Sequence, residues 1–134
     1  MDRLDLPESA EVEIVFLSSR QPGGNAAVIA IEKPGSISLS NGTPATAIAI
    51  WDEPYLPTAV VHRIESAGRM LQVYNKYRTR HGPDFITEDS FTGNAGMIVT
   101  QTSPSRRRYE CSNGPGPFSP DDLIFELSWK SLGS

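Results

Sequence analysis

Hydrophobic and polar positions alternate with a period of two along much of the chain. In Ser36-Ile37-Ser38-Leu39-Ser40 the serines fall on one side and Ile37 and Leu39 on the other, and Leu123, Phe125, Leu127 and Trp129 oppose Glu126 and Ser128 in the same way. A strand with one face in a core and one in water has this pattern, whereas a helix would repeat its apolar positions every three to four residues. Similar segments, rich in Val, Ile, Thr, Tyr and Phe, predict strands at 11–18, 26–33, 36–40, 45–51, 58–65, 69–79, 84–87, 96–102, 106–112 and 123–130.

The breaks between them carry turn chemistry. Asn41-Gly42 suits a tight hairpin because both residues tolerate positive φ, and Ser66-Ala67-Gly68 predicts a second hairpin. Pro44 lacks an amide hydrogen, which puts the strand after the first hairpin at a sheet edge. Ser119-Pro120-Asp121-Asp122 has the grammar of a helix start, yet the residues after it alternate, so one helical turn leading into a last strand is expected. Many short strands closed by turns predict an all-β fold of about ten strands, an antiparallel, jelly-roll-like β-sandwich, with a closed β-barrel as the alternative.

Composition bounds the rest. The chain has 134 residues, 11 of them Gly and 11 Pro, a length that suits one domain spanning residues 1–134 and leaves little room for long helices. No apolar run approaches membrane-spanning length, and the N-terminus Met1-Asp2-Arg3-Leu4-Asp5 does not resemble a secretory signal, so no membrane association and a cytoplasmic location are expected. The lone Cys111 cannot form an internal disulfide and lacks the ligand spacing of a zinc site. No metal or other cofactor is predicted.

Twelve Lys and Arg against sixteen Asp and Glu give a net charge of −4, which argues against nucleic acid as the partner. The charge is uneven. From Arg63 to Arg108 eight basic residues face Glu65, Asp84, Glu88 and Asp89, so this segment carries 8 − 4 = +4 and the remainder −8. A basic face of that kind suits a protein partner or a small anionic ligand.

Within this frame six residues are candidate contacts. Trp51 and Tyr55 flank a proline-bounded loop suited to stacking or to anchoring an interface, and Tyr74 shares a strand face with Lys76 and Arg78. Arg80 and His81 enter the turn His81-Gly82-Pro83-Asp84, close in sequence to Glu88 and Asp89. His62 and Glu65 lie three apart on a strand and so point to opposite faces, which removes them as a local pair. Tyr109 and Cys111 share parity and are expected in the core, with Arg107 at the strand edge. Gly93-Asn94-Ala95-Gly96 precedes a strand rather than a helix, so it is expected to be a turn and not a phosphate cradle. The expected function is a non-catalytic binding or interaction module, homodimeric through its sheet edges, that neutralises or regulates a partner; the alternative is a small enzyme with a cavity between sheets or inside a barrel.

Overall fold

The structure is a computed structural model and describes residues 1–20, 23–52, 59–90, 96–114 and 117–133. It contains strands β1 (Asp2–Leu4), β2 (Ser9–Ser19), β3 (Asn25–Ala30), β4 (Ser36–Ser38), β5 (Pro44–Ala45) and β6 (Ala47–Trp51). These are followed by β7 (Ala59–Glu65), β8 (Leu71–Gly82), β9 (Phe85–Asp89), β10 (Gly96–Ser103), β11 (Arg106–Ser112) and β12 (Leu123–Ser131). There is no helix among the described residues, hence none long and apolar enough to cross a membrane.

All pairings are antiparallel and form two open sheets, β1-β8-β3-β6 with β9 added to β8, and β10-β11-β12-β2-β7-β4-β5. The fold is a β-sandwich, and the sheets do not close into a barrel. The alternation explains the packing. Val12 and Ile14 on β2 and Leu123, Phe125 and Leu127 on β12 point inward, against Ala27 and Ile29 on β3 and Leu71 and Val73 on β8. Each of these side chains is almost fully removed from water, which contributes about 1.5–3 kcal/mol for a Leu, Val or Phe. Tyr109 stacks on Phe125, and Phe16 meets the same ring edge-on.

Three local expectations are revised. The run 45–51 is two strands: β5 pairs with β4 in the seven-stranded sheet, and after Thr46 the chain crosses to the other sheet as β6, pairing with β3. Ser66-Ala67-Gly68 does make a tight turn, with Ala67 at φ 49° and Gly68 at φ 79°, but it links β7 in one sheet to β8 in the other and is no hairpin. The segment from Ser119 closes with a single bond from the Asp122 amide to the Ser119 carbonyl and enters β12 as a turn. The Asn41-Gly42 hairpin forms as expected, with Gly42 at φ 84° and β5 at the sheet edge.

β8 sets the shape of the molecule. Its first part lies over the core, with Gln72 to Tyr77 bonded to β3, whereas Tyr77 to Gly82 continues with β9 alongside it. Since β3 begins at Asn25, opposite Tyr77, the second part extends as a two-stranded arm past the start of β3. The two-residue alternation of burial stops after Tyr77, the register shifts between Arg80 and Gly82, and on β9 Phe85 and Ile86 are 61% and 48% exposed.

Candidate functional site

The base of the arm is built from residues far apart in sequence. Ala26 on β3 lies between Trp51 on β6 and Lys76 on β8, so Trp51 and the basic side chains of β8 share the outer face of the five-stranded sheet. Arg78 lays its guanidinium over the Trp51 ring, 4.1 Å from its centroid, and donates to the Gly23 carbonyl at 2.6 Å. The Gly23 amide in turn donates to Asp52 Oδ1 at 3.0 Å, as does the Asn25 amide at 3.1 Å. Arg78 and Asp52 therefore hold one short stretch of backbone from opposite sides.

Asp52, the neighbour of Trp51, is buried. Its Oδ2 is enclosed, with no hydrogen-bond partner among the described residues. Beside it Asn25 donates to Ser19 Oγ and to the Asp122 carbonyl, and accepts from Asn113 Nδ2. This polar layer caps the apolar core, and its buried groups make its geometry costly to disturb.

Along the arm, His81 Nε2 lies 2.7 Å from Thr87 Oγ1, which donates to Asp89 Oδ2 at 2.7 Å. That bond from Thr87 is the main reason the Asp89 carboxyl is held below the usual carboxylate range. An ionised carboxylate only accepts, so Thr87 spends its proton on Asp89 and His81 Nε2 must be the donor to Thr87. The direction is opposite to what a histidine base activating a hydroxyl nucleophile requires. The His81 ring also packs on Phe85 at 5.2 Å, and Arg80 donates to the Pro83 carbonyl at 3.0 Å. Turn and strands are thus bonded internally.

The six sequence candidates are distributed as follows. Trp51 and Arg78 meet face to face; Arg80 and His81 lie together on the arm; Tyr74 stands lower on β8, half-buried, on the same face as Arg78. Tyr55 lies outside the described residues, as does most of Gly93-Asn94-Ala95-Gly96. His62 flanks the other sheet, its Nδ1 3.0 Å from the Ser38 carbonyl. Cys111 is buried and its thiol is pushed up to about 12 by desolvation, so it is not a nucleophile near neutral pH.

The basic segment is less open than its net charge implies. Arg63, Arg69, Lys76, Arg78, Arg106 and Arg107 each have a carboxylate within 4.0 Å, from Glu65, Glu32, Glu88, Glu88, Glu126 and Asp2. Sequence reasoning missed Asp52, Asn25 and Asn113, which no local motif links, and Phe85 and Ile86, which read as ordinary strand residues. Counting outward from Gly82-Pro83-Asp84 would have paired Thr87 with Thr79 and set Asp89 across from Tyr77.

Comparison of the chain with protein-family models, with curated proteins and with solved structures finds no match. The functional reading rests on the chemistry of this chain.

Proposed function

We propose that this protein is an interaction module that presents the β8–β9 arm to a protein partner, with Phe85 and Ile86 as apolar anchors and Arg80 and His81 as the polar flank. The observation that carries the reading is the exposure of those two large apolar side chains on a hairpin that is braced internally and clamped at its base by Arg78 and Trp51. An ordered arm loses little conformational entropy on docking, and apolar anchors edged by arginine are the usual energetic centre of an interface. The pairing of most central basic residues favours this over capture of a free anion. A partner fitting this surface has an apolar hollow and an acidic margin that meets Arg80.

The test compares three baits in saturable, quantitative enrichment from the source cells: the wild type, Phe85→Ser with Ile86→Ser, and Lys130→Ala on the opposite sheet. A protein retained by the first and third and reduced about tenfold or more by the second, a change of ~1.4 kcal/mol, supports the reading. An enriched set indifferent to the arm substitutions overturns it.

A further inference from the structure

We infer that β10 is a self-recognition edge, through which a second copy of this chain adds antiparallel to join two seven-stranded sheets into one. The sheet edges differ in their protection. β5 has two residues, one of them Pro44, and β1 has three; β9 carries Glu88 and Asp89, and β6, although uncharged, has only five residues. β10, by contrast, runs for eight residues, Gly-Met-Ile-Val-Thr-Gln-Thr-Ser, without a charge or a proline. Among the described residues it pairs with β11 alone, and Ile98 and Val99, pointing to opposite faces, are 44% and 38% exposed. A long uncharged edge lacks the devices that discourage strand addition.

Charge and symmetry select the occupant. Behind Ile98 stands Glu110 on β11, and behind Thr100 stands Arg108. A two-fold axis perpendicular to the sheet keeps each face on its own side, so residues that meet across it must have the same parity. The regular stretch Gly96 to Gln101, before the register shift that follows Gln101, has Ile98 and Val99 at its middle, and an axis at Ile98 would set Glu110 in one row with its own copy. With the axis at Val99, Val99 meets its counterpart and Ile98 meets Thr100 of the other copy. Glu110, Ile98, and the second copy's Thr100 and Arg108 then form one cross-strand row, with the opposite charges about 14 Å apart at the backbone, or three strand spacings, and closer at the side-chain ends. The two-fold repeats this row, whereas parallel pairing of the two β10 edges would need a two-fold along the strands, which turns one sheet over and puts the charges of the two copies on opposite faces. The self-complementary match is that of an isologous dimer.

Light scattering after gel filtration, from micromolar to millimolar protein, is expected to show a monomer–dimer equilibrium in the wild type. Val99→Lys places like charges against each other at the axis, and Thr100→Lys does so nearby on the other face; each is expected to weaken the dimer about tenfold or more. Both positions are exposed, and circular dichroism confirms folding. Val99→Cys is expected to give a disulfide-linked dimer under mild oxidation faster than Ile98→Cys or Thr100→Cys, with buried Cys111 silent. A wild-type monomer throughout the range, a dimer unaffected by both lysines, or one abolished instead by Ala49→Lys on β6 overturns the inference. The arm substitutions Phe85→Ser and Ile86→Ser leave this equilibrium intact, so failure here and failure of the partner-binding reading are separable.

Discussion

One strand, β8, passes through two environments, and the contrast between its halves organises the molecule. From Leu71 to Tyr77 every second side chain is buried; from Arg78 onward that alternation ends, and the strand is held by hydrogen bonds and ring contacts to β9. The inner half derives its stability from apolar burial, which is insensitive to salt and to modest pH change. The outer half depends on polar geometry, which costs little to open locally and leaves its apolar groups for another molecule. Arg78 is the junction, stacked on Trp51 and tied to Gly23.

The largest expected break is in the inner half. Leu71→Ala, which opens a cavity in a fully buried layer, is expected to lower global stability by about 2–5 kcal/mol in urea denaturation. Next comes alkaline pH. Desolvation raises both the Cys111 thiol and the Tyr109 hydroxyl, Tyr109 also being hydrogen-bonded to Asp2. Raised folded values mean that stability is complete below the unfolded values and is lost as pH rises beyond them, toward about 12 for Cys111. In the window where only the unfolded groups ionise, each contributes a slope of about 1.4 kcal/mol per pH unit. Cys111→Ser is expected to remove the earlier limb, and stability measured from pH 8 to 11 checks it.

Smaller effects belong to the junction and the arm. Arg78→Ala is expected to cost about 1–2 kcal/mol by removing the stacking and the Gly23 bond, with amide exchange faster at residues 23–25. Phe85→Ser with Ile86→Ser should change global stability by no more than about 0.5 kcal/mol, because neither side chain is in the core. The arm has its own pH limit with the opposite sign. Asp89 titrates below its ordinary value, so its bond with Thr87 is intact above the usual carboxylate range and is lost as pH falls through the lowered value. Faster exchange of arm amides in acid, with core amides unmoved, is the expected readout.

The sequence made the strands legible where one face is solvated. The last strand, with Leu123, Phe125 and Leu127 inward, is the clearest case, and the parity that put Tyr109 and Cys111 in the core held. β1 escaped notice because only Leu4 of its three residues is buried. Sheet membership was not encoded locally: nothing in 45–51 announces that Thr46 is a crossing, and a tight turn at Ser66-Ala67-Gly68 is the same turn whether it joins strands or sheets. The Trp51–Arg78 stack was unreadable for a related reason. Its members sit on strands that flank β3, and only the register at Ala26 aligns them. Charge counting failed to reveal the site because most of the basic residues find carboxylates on neighbouring strands.

The pairing of β2 with β12 has a consequence for how the chain comes together during synthesis. β2, near the beginning, takes its long partner from residues 123–131, and Asp2 is fixed by Arg107 and Tyr109. β7 can reach the other side of β2 much earlier, but the half of the sheet that completes the core must wait until the ribosome has delivered more than a hundred further residues. Such distant contacts slow folding, and until they form, β2 presents an open edge with alternating apolar side chains.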